Sequence, residues 1–539
     1  LLDPRANRSI PMAQIVSLDT ILLQLSETDF FTLRHLVLGL LIMGGIGSGK
    51  TSGSKALRRA LRISGLGGLV LCAKPGEAEM WRRECAEDGR SGSVIVVNGR
   101  NDACFNFIAY ELERHGPDGI NSVIECLMCA LEAAQMAGSK PGRGGEQFWI
   151  DATKQLLRAI VPLLYFAWGN VTIPDIIRLV RSAPQSREEA ISPEWRANSF
   201  LFATLLKAGE ALGDDHPTID RIASYWFDDF AKLDPKTRGN IVISLTTTLD
   251  RFNGGWLERL FCGETTITPE LSFHGAILIL DMPALTMNED GIFAQILFKF
   301  MWQRAVLARG GLDPSQRQRP VFLWVDEAHH FLMPSDADFL STSRESLACP
   351  VFLSQSLPTF YAKMGGEHPR ETVHQLLGNF ATRVWHNNAC HETNKWASET
   401  VGKSLQQRAN YSEGEGSSAN FGMNMGEGEN WGRNSGTSSS HGGSSGGGQS
   451  GSNWSAGSSS GSSWGSSDNR GLNRGSGTSS NVSHGYSEQM DDILTPGFFS
   501  SALKTGGPPN GNRVSAVWFQ AGRKFEASRG NCLLTEFEQ

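Results

Sequence analysis

Gly44, Gly45, Ile46, Gly47, Ser48, Gly49, Lys50 and Thr51 fit GxxxxGK[ST] at every fixed position. Glycines at that spacing let successive backbone N–H groups face phosphate oxygens, and the helix that follows adds the positive end of its dipole. Lys50 is placed to reach the β- and γ-phosphates and Thr51 to put its hydroxyl on Mg2+, so the pattern predicts a site for ATP and Mg2+. The apolar run "LVLGLLIM" before the loop and the helical pattern "SKALRRALRIS" after it give the strand–loop–helix context that separates such a loop from a chance glycine turn.

The other half of such a site is acidic and comes from a neighbouring strand. "VFLWVDEAHHF" places Asp326 and Glu327 after an apolar run: Asp326 to hold Mg2+ through water, Glu327 to orient and polarise the attacking water. "CPVFLSQSLPTF" sets Gln355 just past another apolar run, where its carboxamide touches the γ-phosphate and reports its loss; a polar strand cap is the competing account. An arginine from an adjacent subunit would offset charge on the transferred phosphoryl group. Arg344 in "STSRES" and Arg383 in "FATRVW" are the candidates, with ordinary salt bridging as the alternative for each. His329 and His330 lack HExxH spacing and read as packing residues.

These groups need elements to position them. Strand-like and helical runs alternate from "LVLGLLIM" through "GLVLCA" to "SVIVVN", the pattern of a parallel, doubly wound α/β sheet. Helical spacing then takes over, as in "DATKQLLRAIVPLLYFAW" and "PDIIRLVRSA", before strands return at "GAILILDMP", "PVFLWVDEA", "CPVFLSQS" and "FATRVWHN". The expected organisation is a nucleotide-binding domain over 1–104, an all-α domain over 105–235, and a second part of the nucleotide-binding domain over 236–411. A Gly/Ser-rich insertion at 412–485 and a last core part at 486–539 complete it. The insertion is expected to be disordered, because Gly, Ser and Asn offer too little apolar surface to offset ordering entropy. Its isolated Trp431, Trp454 and Trp464 suit base stacking or simple stickiness.

Composition narrows the classes. A net charge of −7 over 539 residues argues against a surface that grips nucleic acid everywhere, but not against a basic channel within an acidic assembly. "SKALRRALR" and "RRE" are candidates for such a channel or plain solvated helix faces. The nine cysteines show no framework spacing, as expected in a reducing cytosol. Cys126 and Cys129 have no second CxxC pair and read as buried side chains rather than zinc ligands. The longest apolar runs fall short of the roughly 18 residues of a membrane span. The polar helical segment from His386 to Gly402 reads as a subunit contact, a substrate surface or a solvated helix.

Taken in order, several segments resemble the coupling ATPases of type IV secretion and conjugation, of the FtsK and HerA type. They are "GGIGSGKT", "EQFWIDATKQLLRAIVPLLY", "KTRGNIVISLTTTLDRF", "VFLWVDEAHHF", "VFLSQSL" and "DDILTPGFFS", distributed from Leu36 to Gln539. The resemblance implies a RecA-like P-loop core, and a hexamer that hydrolyses ATP at subunit boundaries. Such a ring would drive DNA, single-stranded and carrying its relaxase, toward the components of a secretion channel. Two departures stand out. Ala73-Lys74-Pro75-Gly76-Glu77 occupies the place of the family's usual Asp-Pro-Lys-Gly, and the usual N-terminal membrane-spanning pair has no counterpart. The expectation is therefore a cytoplasmic protein, with the cytoplasmic face of the inner membrane as one place of action, that has an anchor preceding residue 1, docks on a membrane partner, or works elsewhere. A nucleotide-dependent receptor for protein effectors is the alternative, and a small-molecule kinase ranks last.

Overall fold

The structure, a computed structural model, describes residues 16–137, 146–213, 216–313, 317, 319–365, 368–423, 430–443, 452–465 and 472–538. Its strands in chain order are β1 (Ile21–Gln24), β2 (Phe30–Thr32), β3 (Leu40–Met43), β4 (Gly67–Leu71), β5 (Val94–Val97), β6 (Ile277–Leu280), β7 (Val321–Val325) and β8 (Ala348–Ser354). They continue with β9 (Thr382–Trp385), β10 (Lys403–Met423), β11 (Asn430–Gly443), β12 (Ser452–Gly465), β13 (Leu472–Asp492), β14 (Arg513–Gln520) and β15 (Cys532–Glu538). Two compact units result: the described residues up to Ala397 together with those from Thr495 onward, and Ser398–Leu494.

The first unit is built on a nine-stranded sheet in the order β15-β14-β9-β3-β8-β7-β4-β6-β5. From β9 to β5 all neighbours are parallel. Every residue of β3, β4, β6, β7 and β8 is buried, which explains why these strands read as continuous apolar runs: a parallel sheet is covered by helices on both faces. The doubly wound expectation holds for these seven strands. The C-terminal β14 and β15 add an antiparallel edge, the two joined to each other without a crossover helix. The run "LVLGLLIM" divides in two, since Leu33–Leu36 is a helical turn and only Leu40–Met43 is strand. The break falls at Gly39, whose φ of +81° favours glycine. The hairpin of β1 and β2 was not foreseen.

Between β5 and β6 every regular element among the described residues is helical, from Phe107–His115 through Gly255–Phe261 to the 3-10 turn Pro269–His274. Side-chain caps mark the starts: Asn106, Thr172, Ser199 and Asp234 each accept a backbone N–H from the first turn. Helix Pro235–Leu249, the "KTRGNIVISLTTTL" segment, packs on helices Gly119–Ala137, Glu146–Trp168 and Ile173–Arg181. The helical stretch thus runs well past residue 235. Among the described residues, the run Phe107–Ala137 and the bent pair Ile150–Trp168 with Ile173–Arg181 are long and apolar enough to cross a membrane by length and composition. The first packs against helix Ala284–Ala308, with Cys126 Sγ 3.2 Å from Met301 Sδ and Cys129 facing Met333.

The second unit corrects the expectation of disorder. Over its described residues the Gly/Ser tract is paired backbone: β10 with β13 from Lys403↔Asp492 to Met423↔Leu472, and β11 with β12 from Asn430↔Gly465 to Gly443↔Ser452. An antiparallel ladder satisfies backbone N–H and C=O groups without an apolar core, the requirement on which the disorder expectation rested. Trp431 lies opposite Trp464, and Trp454 opposite His441, in the register. The unit also begins earlier and ends later than 412–485.

A second correction concerns the basic helices. Arg58 and Arg62, on helix Lys55–Ile63, are almost wholly buried. Arg58 pairs with Glu84 at 2.8 Å, and Arg62 with Glu84 at 2.6 Å and Asp88 at 2.7 Å. Stacking of Arg58 over Trp324 and of Arg62 over Trp81 completes the packing, so neither arginine lines a channel or a solvated face. Burial works against the Glu84 charge, but the two guanidiniums outweigh it and hold its carboxyl below the usual range. Glu84→Ala leaves both buried cations short of a partner and is expected to destabilise the unit by about 3–5 kcal/mol, measured by denaturant unfolding.

Candidate functional site

The phosphate loop leaves the C-terminal end of β3 and is braced from two sides. Gly44 N donates to Ser354 O at the end of β8 (3.2 Å), and Gly45 N to Asn387 O just beyond β9 (2.8 Å). Gly47 and Gly49 adopt φ of +71° and +84°, the left-handed backbone that turns the loop into helix Lys50–Gly53. A side chain at Gly49 would also run into Val514 of β14, 2.5 Å from the position of a Cβ. Thr51 O is held by Ser54 Oγ (3.1 Å) and by Arg58 Nη1 (3.2 Å). The buried arginine cluster therefore anchors the base of the loop.

Lys50 is buried, and its ammonium donates to the carbonyls of Gly44 and Gly45. Burial lowers its pKa, while the charges of Glu327 and Asp326 partly restore it. Ser48 Oγ is buried with no hydrogen-bond partner among the described residues, whereas Ile46 is fully exposed at the loop tip.

Asp326 and Glu327 follow β7, which is separated from β3 only by β8. Glu327 sits at φ +45°, a conformation that a non-glycine residue adopts at a cost of about 1–3 kcal/mol, and its N–H is caught by Asp326 Oδ1 at 2.8 Å. Its Oε1 accepts from Lys74 Nζ at 2.7 Å and from Gln355 Nε2 at 3.1 Å. Its Oε2 is buried with no hydrogen-bond partner among the described residues, and His329 Nδ1 stands 3.7 Å away. Burial would raise the Glu327 pKa, but the bonds from Lys74 and Gln355 and the charge of Lys50 hold it below the usual range. Glu327 is thus an ionised acceptor with one oxygen occupied and one available.

Thr51, Asp326 and Glu77 line one small pocket. A threonine hydroxyl and a carboxylate suit Mg2+, which takes oxygen ligands. The orphaned Ser48 Oγ and the glycine loop suit phosphate oxygens, so the residues present fit a Mg2+–nucleotide. Burial and the nearby Asp326 charge push Glu77 up to about 8.

Of the residues singled out from sequence, the loop, Asp326, Glu327 and Gln355 converge at one sheet edge. Arg344 and Arg383 do not. Arg344 is exposed in the turn before β8, at the end of that strand opposite Ser354. Arg383 is half-buried near the start of β9, with Nη2 3.3 Å from Leu377 O and its guanidinium 5.0 Å from the Trp396 ring centroid. His329 does pack in the interior, bonded to Ser354 Oγ, and burial together with His330 lowers its pKa to about 4.

Sequence reasoning missed Lys74, Glu77 and the segment His386-Asn387-Asn388. Where Asp-Pro-Lys-Gly was looked for, Ala73 brings no acid and Lys74 brings a cation instead. The segment read as a subunit contact, substrate surface or solvated helix begins as the floor of the site: Asn388 Nδ2 donates to Gln355 O at 2.7 Å, and Asn387 Nδ2 to Ser500 O and Leu503 O. Its position just after an apolar strand was the available signal, since ligands sit at the carboxyl ends of parallel strands.

His386 fills the space behind the loop, where a Cβ on Gly44 or Gly53 would meet it at 2.8 or 2.7 Å. Burial, with the Lys50 charge beside it, lowers its pKa to about 3, a backbone contact from Ser515 offsetting part of the shift. A folded-state pKa below the unfolded value near 6.5 means that the unfolded chain binds the extra proton as pH falls, so stability is present above that value and lost below it. In urea titrations between pH 6 and pH 4, His386→Asn is expected to lose stability less steeply than the wild-type chain, by about 1.4 kcal/mol per pH unit.

Residues 320–470 match the family described as "TraM recognition site of TraD and TraG". Comparison with curated proteins gives no match. Among solved structures, the unbound monoclinic form of the bacterial conjugative coupling protein TrwBdeltaN70 shares 12% identity, with 97% of this chain and 90% of that chain covered and a TM-score of 0.53. TrwB in complex with ADP and Mg2+ aligns at 14% identity over 72% of this chain and 81% of that one (TM-score 0.43). VirB4 of Thermoanaerobacter pseudethanolicus aligns at 13% over 71% and 92% (TM-score 0.40). The TrwBdeltaN70 match covers the helical stretch as well as the sheet. The matched segment is thus similar to that family, and the fold of the chain is that of TrwBdeltaN70.

Proposed function

We propose that this chain is an ATP-hydrolysing translocase acting as a coupling protein, which delivers DNA or a DNA–relaxase complex to a type IV secretion or conjugation channel. The observation that carries the reading is Glu327: an ionised carboxylate held by two donors on one oxygen, with the other oxygen available, next to Asp326 and across β8 from the phosphate loop. A protein that only binds nucleotide has no use for a carboxylate so placed.

In this reading Lys50, Ser48 and the loop N–H groups hold the β- and γ-phosphates. Thr51 and Asp326 supply oxygens to Mg2+, which offsets charge on the transferred group when bound. Glu327 Oε2 accepts a hydrogen bond from the attacking water. Gln355 lies between that water and helix Leu357–Met364, a short path by which loss of the γ-phosphate becomes movement. Assembly into a ring, expected to be a hexamer, would bring an arginine from the neighbouring protomer. Arg344 suits that role better than Arg383, because it is exposed while Arg383 is engaged within its own chain.

The family match over residues 320–470 favours a second partner class, an accessory protein of the TraM kind, and with it the alternative of an effector receptor working at the cytoplasmic face of the membrane. Steady-state ATPase assays with and without single- and double-stranded DNA separate the two. The translocase is expected to be stimulated by DNA, with Lys50→Ala inactive and Glu327→Gln slowed about 10²–10⁴-fold while still binding nucleotide. Turnover raised by protein and indifferent to DNA would select the receptor, and a mass that stays monomeric with nucleotide and DNA would rule out the ring.

A further inference from the structure

We infer that Lys74 is a positioning residue for Glu327: it locks the water-orienting carboxylate through one oxygen so that the other faces the reaction. The inference rests on the reading of Glu327 given above.

Lys74 follows β4 and Glu327 follows β7. The two strands are parallel neighbours, with Leu71 opposite Val325, so both side chains leave the same edge of the sheet within reach of each other. The turn that carries Lys74 is itself fixed: Glu77 Oε2 accepts from Ala73 N at 2.8 Å and Lys74 N at 3.2 Å, and Gly76 turns the chain at φ +86°. From that turn the ammonium lies 2.7 Å from Glu327 Oε1 and 3.9 Å from Asp326 Oδ2. Gln355, from the strand on the other side of β7, reaches the same Oε1 at 3.1 Å.

Two donors from the two strands flanking β7 therefore converge on one carboxylate oxygen. Rotation about the last side-chain bond would break both contacts, so the orientation of Oε2 is set. Lys50 does not take this place: its ammonium donates to the carbonyls of Gly44 and Gly45 in this structure and serves the phosphates in the reading above. Lys74 is also distinct from the buried cations of this fold, since its side chain is 43% exposed while those of Arg58 and Arg62 are 3% exposed. Lys74 is the half-exposed partner of a buried carboxylate that keeps its bond from Gln355 without it, so the role of Lys74 is to be sought in turnover.

The test compares wild-type chain, Lys50→Ala, Lys74→Met and Lys74→Arg in steady-state hydrolysis, equilibrium binding of a fluorescent ATP analogue, and thermal melting. For Lys74→Met the expected result is a kcat lower by about 30-fold, with KM and the analogue's Kd within about 3-fold and melting unchanged. Lys74→Arg, which keeps a donor and the charge, should recover kcat to within about 5-fold of wild type. A Lys74→Met kcat within about 3-fold of wild type overturns the inference while leaving the ATPase reading in place, as does a loss confined to KM and Kd. Failure of Lys74→Arg to recover more than Lys74→Met overturns it as well. A wild-type rate no higher than that of Lys50→Ala is a different result: it removes the ATPase reading and this inference with it.

Discussion

Carboxylates crowd one edge of the central sheet, and the arrangement of the site follows from how that charge is offset. Asp326, Glu327 and Glu77 all follow the ends of adjacent strands, and burial penalises the ionised forms of Glu327 and Glu77. Lys74 lies against Glu327, Lys50 contributes from the loop, and Glu77 yields by moving toward its protonated form. The cations are thus shared unequally, and the residue best supplied with donors is Glu327, the proposed water-orienting carboxylate. Such pre-set donors need no rearrangement at the moment of reaction, the condition under which electrostatic groups are most effective.

The same logic appears one layer behind the site. Arg58, Arg62, Glu84 and Asp88 form a buried network between the helix after the phosphate loop and the helix after β4. Lys299 and Asp336, both buried, form a second at 2.5 Å, with Lys299 also donating to Phe331 O and Asp336 accepting from Met333 N. Buried pairs of this kind are poor sources of net stability compared with apolar packing. What they supply here is registration. Arg58 reaches the carbonyl of Thr51, and the second network holds the loop that follows Glu327 against helix Ala284–Ala308. Each half of the site is tied to the core by directional bonds that apolar contacts would not provide.

Motif and strand context made the phosphate loop, the acidic pair and Gln355 legible in the sequence, because each depends on residues close together in the chain. The seven parallel strands were legible for the same reason: burial on both faces leaves runs such as "VFLWV" and "ACPVFLS" with no polar alternation. Lys74 was not legible as a partner of Glu327, since that contact joins residues on two strands whose adjacency is a property of topology. Arg58 and Arg62 of "SKALRRALR" misled because helical spacing shows which residues share a face, not whether a neighbouring helix covers it with carboxylates. The Gly/Ser tract misled for a third reason. Composition measures the capacity to build an apolar core, and a paired ribbon satisfies its backbone without one.

The last strands show why the order of residues along the chain is a weak guide to this site. Val514 packs at Gly49 and Ser515 contacts His386, so the phosphate loop near the beginning is finished by residues near the end. Between them the chain makes the excursion of the second unit, which closes on itself: Ile493 N donates to Gly402 O at 3.0 Å, and Lys403 pairs with Asp492. Loop-closure entropy rises only slowly with length, and an insertion whose ends meet through its own pairing asks little further of the core. Such an insertion can vary in length without disturbing the contact of Val514 with the loop, whereas a one-residue register shift in β14 would turn Val514 to the other face and open the back of the phosphate loop. The register of β14 against β9, from Val517↔Trp385 to Gln520↔Thr382, is therefore part of the nucleotide site although none of those residues belongs to a nucleotide motif.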